Sequence, residues 1–431
     1  MPLSPNPPYL KAINRLDPAT RRIIVSLLGH PTVGRLRSIQ QLGFTSRVFP
    51  TATHSRWEHT LWTLDRLCGL LDASPPLPTE VKQHLLAACV LQDIGHSPMS
   101  NSLGPAFSQH LNDERLSVLV PHDKVRTILI LEHLERTEQL FTHLSLTVEL
   151  LVQLLLGRFP WPQPAWAYRL MEGVLDADRL AYVEQDALLT LGRDVRTGLR
   201  AVMQSLQTDG PDNVTIISSE GVDPVRQFVS TRAELTLDVY HHLQKLAWEY
   251  VARDLLDWVW AHPSALPAVL PPAPTTVPEF LEWNDATVER LLKQAALPED
   301  NPTAEALRLL RGGQLLAAEV RAYEGEQTMS FVDIDALLAT VDCPTFPAAP
   351  IWIIAAKRIP AVSIYDAGSI VVKHKGRHEP LNALSSSVPS PVTKVWHRPV
   401  VVFGATCTAL VTQRFYDRKL ILSDLQPLRQ I

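Results

Sequence analysis

The feature that most constrains this chain is a succession of amphipathic segments filling residues 10–257. ATRRIIVSLL, LWTLDRLCGLL, VKQHLLAACVLQDI, RTILILEHLE and LTVELLVQLLLG each place apolar residues at i, i+3, i+4 and i+7. Short connections bearing Pro or Gly separate them, and no comparable run of strand-like alternation intervenes. Such stripes can be buried only against one another, so a helix-on-helix core is expected: a mainly α chain built as a helical bundle.

The character changes twice further on. AHPSALPAVLPPAPTTVP is proline-rich and reads as a semi-rigid linker over 258–278, dividing a helical unit (1–257) from a C-terminal region (279–431). In that region EFLEWNDATVERLLKQ and AEALRLLRGGQLLAAEV carry helical periodicity. From Pro350 the runs IWIIAA, AVSIYDAGSIVVK and PVVVFGATCTALV are β-branched and bounded by Pro and Gly, which predicts a few strands and hence a smaller α+β ending. SSSVPSPV (385–392) reads as an exposed loop.

Hydrophobic residues make up 46% and charged residues 20%, and the formal net charge is -5. That composition excludes a disordered chain, and bulk charge gives no support to a nucleic-acid partner. No stretch approaches the roughly 20 apolar residues of a membrane span, and the N-terminus has no signal-peptide core. Four widely spaced cysteines (Cys68, Cys89, Cys343, Cys407) form no CxxC pair. A reducing, cytoplasmic setting with unpaired thiols is expected.

Four places in the helical half read together as one chemistry. His59 precedes an amphipathic helix. Gln92 and Asp93 end the otherwise apolar LLAACVLQDIGHSP, His122 and Asp123 open another helix, and Asp178 lies in LDADRLAYVEQD. Imidazoles and carboxylates dispersed over facing helices suit a divalent metal that activates water and offsets charge on phosphoryl oxygens. A polar pair at the end of an apolar helix also calls for a partner, and a metal is one.

The ordered motifs resemble those of HD-domain deoxynucleoside triphosphate triphosphohydrolases. RLRSIQQLGFTSRVFPTATHSRWEHT (35–60) is similar to the segment leading to that family's first histidine, and LQDIGHSPMS to its HDxGHxPxSH. LDADRLAYVEQDALLTLG is similar to DxDRxDYxxRDxxxTG, and TRAELTLDVYHH to RxxLxxxVYxH. The four occur in the family's order over 35–242. The resemblance implies an HD-type helical domain with metal ligands His59, Gln92, Asp93 and Asp178. It places His96 and His122 beside the scissile phosphate, with Asp123 as an acidic neighbour of the latter. Gln41, Arg56, Tyr182, Asp186, Arg232 and Tyr240 fall at pocket-lining positions. The implied reaction is attack of water on the α-phosphorus of a dNTP, giving deoxynucleoside and triphosphate. A homo-oligomer is the family's usual state.

The chain departs from that pattern. Gln92 stands where the motif has histidine, and it offers only a neutral amide oxygen. One imidazole, two carboxylates and an amide favour Mg²⁺ or Mn²⁺ over Zn²⁺ or Fe²⁺. Asn101, Gly104 and Leu243 also replace a histidine, an acid and a lysine. These losses leave a second reading open, a catalytically degenerate protein that binds nucleotide as a regulatory or sensor module. A third, a single-stranded nucleic-acid binder using the same groove, has no support in the charge pattern. His122 and Asp123 also have a plain alternative as a helix N-terminus.

Overall fold

The computed structural model describes residues 8–113, 121–162, 164, 166–209, 213–265, 271–295 and 297, short pieces of 304–312, and 315–322, 351–354, 370–374, 376–381, 400–404 and 420–427. The described chain is mainly α, with a smaller mixed region toward the C-terminus. Among the described residues no helix is long and apolar enough to cross a membrane.

Two helices form the floor on which everything else is set. Arg56–Asp72 starts at a reciprocal cap in which Ser55 accepts from the Glu58 amide and Glu58 accepts from the Ser55 amide. Ala177–Leu191 starts at Asp176, whose carboxylate accepts from the Arg179 amide at 2.7 Å and the Gly173 amide at 2.9 Å. These helices pack on each other, and Thr79–Leu91 packs on the first. Leu64, Leu67, Leu85, Leu86 and Leu180 close the space between them with no exposed surface.

Each fully buried leucine of this kind contributes about 2 kcal/mol of transfer free energy, so the layer is held far more firmly than its polar contents require. Val148–Leu155 packs on Thr79–Leu91 and also against His122–Glu138.

Leu243–Ala261 runs on past residue 257, and beyond the prolines the helices Val277–Glu282 and Asp285–Gln294 share the same core. Phe280 and Trp283 are fully buried there, with Phe107 edge-on to both.

Among the described residues, eight strands form two four-stranded sheets. β1 (Leu206–Asp209), β2 (Asn213–Ile217), β5 (Val371–His374) and β6 (Arg377–Pro380) make one, antiparallel except where β2 meets β5. The other is fully antiparallel in the order β4 (Ile351–Ile354), β7 (Val400–Gly404), β3 (Leu315–Ala322), β8 (Leu420–Pro427). Strands β4, β5 and β7 fall on the β-branched runs expected to carry them.

Two expectations need correction. The helical half does contain strands, the antiparallel pair β1–β2, each too short to show alternation. LLAAEVRA, given helical periodicity above, is the strand β3. Gly312 and Gly313 break the preceding helical pattern, and pairing with strands on both sides overrides the helix preference of Leu, Ala and Glu. The 385–392 loop, Cys343 and Cys407 lie outside the described residues, whereas Cys68 and Cys89 are buried free thiols.

One carboxylate binds the post-proline segment to the two loops that matter most below. Asp285 accepts from the Gln40 amide at 2.8 Å and the Met99 amide at 2.7 Å. Arg35 completes the clamp, donating to the Trp283 and His96 carbonyls. Removing Asp285 strands two buried amides, so Asp285→Ala should cost about 3 kcal/mol in urea unfolding at pH 4. Burial pushes the Asp285 carboxyl up to about 6, against about 3.9 in an unfolded chain. The folded state therefore holds that proton more tightly, and stability from this residue falls as pH rises from about 4 through 6. The wild-type margin over Asp285→Ala should narrow across that window; a margin that widens would contradict this account.

Candidate functional site

The turn after Thr79–Leu91 carries Gln92, Asp93 and His96, and its path is fixed by the neighbouring helix His122–Glu138. Thr127 Oγ1 donates to the Gln92 carbonyl at 3.1 Å and accepts from the Gly95 amide at 3.1 Å. Arg126, itself buried, donates to the Gly95 carbonyl at 2.8 Å. Gly95 is there because nothing larger fits: a Cβ would lie 2.2 Å from the Asp123 carbonyl oxygen and 2.3 Å from the Thr127 amide. The following loop is bent at Met99 and Ser100, with φ of 53° and 56°, which aims Ser100 Oγ back at Arg56.

Around this turn the side chains converge. Arg56 donates to Asp93 Oδ2 at 2.9 Å and, through Nε, to Ser100 Oγ at 2.8 Å. His59 Nε2 lies 2.8 Å from Asp178 Oδ1 and 3.9 Å from Asp93 Oδ2. Gln92 turns its amide nitrogen to Asp178 Oδ1 at 3.2 Å. His96 Nε2 stands 3.5 Å from both Asp93 Oδ1 and Asp123 Oδ2.

Burial would raise the Asp93 carboxyl, but Arg56, then His96 and His59, overcome it and hold it well below the usual carboxylate range. Burial likewise works against a charge on His59; the hydrogen bond to Asp178 and the charges of Asp178 and Asp93 reverse it, so that ring is shifted upward. His96 goes the other way, lowered by burial and by Arg56 in spite of its two carboxylates.

This cleft, of about 260 Å³, shares Gln41, Arg56, Asn101 and Tyr182 with a second cavity of about 360 Å³. The second cavity holds Asp186 and Tyr240. Tyr240 donates to Asp186 Oδ2 at 2.6 Å, and His54 Nε2 meets Asp186 Oδ1 at 2.9 Å. One widened helical turn, Leu235–Tyr240, swings the tyrosine into place, as insertions of this kind do at functional sites. Burial pushes the Tyr182 hydroxyl up to about 12 and raises Tyr240 well above its usual value, with Asp186 adding to the latter, so both stay hydrogen-bond donors at neutral pH.

Of the residues singled out by sequence, His59, Gln92, Asp93, His96, Asp123 and Asp178 share the first cavity. Gln41, Arg56, Tyr182, Asp186 and Tyr240 line the second. Two do not line either. His122 is exposed at the start of its helix, and Arg232 acts on the site through its charge on Tyr182 and Tyr240. Sequence reasoning missed Lys124, Glu172, Asp176 and Arg179 in the first cavity and Thr45, His241, Lys245 and Glu249 in the second. Arg179 was within reach, since it follows Asp178 inside the quoted motif. Lys245 and Glu249 are an i, i+4 pair on an apolar helix with no motif to mark them.

The donor chemistry suits a hard divalent cation: one imidazole, two carboxylates and an amide that can turn its oxygen inward. So does the charge. Five carboxyl groups line the first cavity against Arg56, Lys124 and Arg179. As the side chains stand, however, no group of three or more His, Cys, Asp or Glu among the described residues is drawn together to hold a metal ion. Asp93 is committed to Arg56, and His59 and Asp178 are committed to each other.

No protein-family model matches the sequence. The SAMHD1 homologue of Dictyostelium discoideum, a deoxynucleoside triphosphate triphosphohydrolase, is 25% identical over 229 residues, covering 51% of this chain and 43% of its own. SAMHD1 of Xenopus laevis is 33% identical over 92 residues, 20% of this chain and 14% of that one. YwfO of Bacillus subtilis is 25% identical over 245 residues, 56% and 53% of the two chains. The chain is a distant homologue of SAMHD1-type triphosphohydrolases. It spans about half the length, or less, of the curated relatives it matches. A phosphohydrolase from Bacteroides thetaiotaomicron has the same fold, with a TM-score of 0.67 at 18% identity over 88% of this chain and 95% of its own. A hypothetical protein from Aquifex aeolicus gives 0.62 at 17% identity over 93% and 96%.

The Gly95 contact tests how strictly the turn is built. Gly95→Ala should lose at least about 2 kcal/mol of stability by chemical denaturation, because backbone on both sides cannot move aside. A variant as stable as wild type would show that the Gln92–His96 turn is not pinned where it is drawn.

Proposed function

We propose that this chain is a metal-dependent nucleotide phosphohydrolase that converts a dNTP and water to deoxynucleoside and triphosphate. The observation that carries the reading is the continuity of the two cavities. A charged cleft with His59, Asp93, His96 and Asp178 opens through Arg56 and Tyr182 into a larger pocket with hydroxyl, amide and carboxylate groups. A phosphate chain joined to a nucleoside has that division of chemistry. The distant homology to triphosphohydrolases supports the same substrate class.

His59, Asp93, Asp178 and Gln92 would hold Mg²⁺ or Mn²⁺, which when bound supplies charge for the phosphoryl oxygens and acidifies water. The remaining residues have roles of their own. Arg56, fixed by Ser100 and Asp93, presents its fork to phosphate oxygens, and Arg179 adds a second guanidinium. Water attacks the α-phosphorus, the bond to the nucleoside 5′-oxygen breaks, and that oxygen needs a proton. His96, held between Asp93 and Asp123, stands where it can deliver one. Tyr240, Asp186 and Gln41 hold the nucleoside.

A second reading has its own observation. The Arg56–Asp93 and His59–Asp178 pairs already satisfy the groups a metal would take, and Gln92 is a weak ligand. A protein that binds nucleotide without cutting it would keep this arrangement. Release of triphosphate and phosphate from the four dNTPs, with Mg²⁺ and Mn²⁺ compared, separates the two. The hydrolase reading expects divalent-dependent turnover that falls on the order of 100-fold or more in Asp178→Ala. Calorimetric titration of Mn²⁺ into the protein should lose its binding heat in the same variant. Absence of turnover in wild type and in Gln92→His alike would overturn the hydrolase and leave the binding protein.

A further inference from the structure

The charged cleft has an outer end that the chemistry above does not use. Lys124, on the first turn of His122–Glu138, and Glu172, on the turn before Ala177–Leu191, line the cleft and do not line the larger cavity. Lys124 Nζ donates to Glu172 Oε2 at 2.9 Å, so one ion pair joins the two elements. It is the most open pair of the cleft: its side chains are 24% and 40% exposed, against 5% and 11% for Arg56 and Asp93. Arg179 lies close by, since it donates to the carbonyl of Gly173, the neighbour of Glu172, at 2.6 Å. The charge of Glu172 bears on that guanidinium too, more weakly than Asp176 does. The backbone beneath Glu172 is pinned. Its amide donates to the Tyr168 carbonyl at 2.8 Å, the Gly173 amide donates to Asp176 at 2.9 Å, and a Cβ on Gly173 would lie 2.4 Å from the Arg169 carbonyl oxygen. What is left free to turn away is the carboxylate side chain itself.

We propose that Glu172 is a built-in competitor for the outermost phosphate, yielding Lys124 when a triphosphate enters and retaking it to expel the inorganic product. The assignment rests on the nucleotide reading above. The direction of the chain follows from which residues the two cavities share. With the nucleoside beside Tyr240 and Asp186, the phosphates pass Arg56 and Tyr182 and end among residues that only the cleft has. There an ammonium holds a carboxylate, and a phosphate oxyanion is the same kind of partner for it. The exchange costs little, because the pair that opens is exposed and such pairs contribute little to stability. Its consequence is for release. Hydrolysis at the α-phosphorus leaves inorganic triphosphate with one more ionisable oxygen than it had in the nucleotide, so the product is the species hardest to let go. Glu172, tethered to a fixed turn, is present at high local concentration whenever Lys124 comes free.

The test is calorimetric titration of inorganic triphosphate, with Mg²⁺ in excess, into the full chain and three variants: Glu172→Gln, Lys124→Met and the two combined. Both side chains are partly exposed, so each variant should melt close to wild type. Glu172→Gln keeps the shape and loses the charge, leaving Lys124 to phosphate; inorganic triphosphate should bind about tenfold more tightly. In the Lys124→Met background the same change should shift affinity by no more than about twofold. That non-additivity separates an exchange on Lys124 from general relief of an acidic cleft, which gives the same gain whether or not the lysine is present. In turnover assays, added inorganic triphosphate should inhibit Glu172→Gln at about tenfold lower concentration than wild type. Unchanged affinity in Glu172→Gln, or an equal gain without Lys124, would overturn the assignment. Turnover of dNTP by wild type with no gain in Glu172→Gln would sink this inference alone. A gain that depends on Lys124, in a protein without turnover, would sink the hydrolase alone, and no binding of inorganic triphosphate or any dNTP would sink both.

Discussion

A single buried guanidinium holds the polar interior of this protein together. Arg56 is 4% exposed and spans three pieces of chain. It is the first residue of its helix, it neutralises Asp93 at the end of the next, and it draws in Ser100 from the loop beyond. A carboxylate as deeply buried as Asp93 would otherwise have to take up a proton or expose itself. With Arg56 in place it stays charged, and that charge in turn orients His96 and biases His59 upward. The Asp285 clamp works on the same loop from behind, through the Met99 amide. The residues after the proline-rich stretch are thus part of what shapes the cleft, not a separate accessory to it.

How much of this could be read from the sequence depends on what kind of contact was involved. His59, Asp93, His96 and Asp178 were legible because each lies in a short motif and the motifs come in a fixed order. Their convergence needs only the helix packing that the apolar periodicity implies. Gln92 was legible as an exception. His122 was not placed correctly beside the cleft: the same two residues that resemble a catalytic pair also open a helix, and the structure leaves the imidazole exposed while turning Asp123 inward. Arg35 and Asp285 were invisible. Their importance comes from long-range tertiary neighbours, such as Asp285 with Gln40 across 245 residues, and no local pattern encodes such a meeting. The same is true of β3, whose sequence prefers a helix until two strands flank it.

Charge offers the last step in the argument about Gln92. Five carboxyl groups face three permanent cations in the cleft, and burial already pushes one of the five, Asp176, up to about 7. A triphosphate would add several negative charges to a space that is acidic before it arrives. Arg56 cannot answer all of them, since it is tied to Asp93, and Arg179 is tied to Asp176. An anionic ligand of that size would need cations of its own to enter, and Mg²⁺ or Mn²⁺ carried on the phosphates would meet that need. On the proposed nucleotide reading, Gln92 in the place of the motif histidine would move the burden of metal binding from the protein toward the nucleotide. The carboxylates Asp93 and Asp178 would receive the ion, and the neutral amide at Gln92 would complete the contact without demanding that a metal be held in advance.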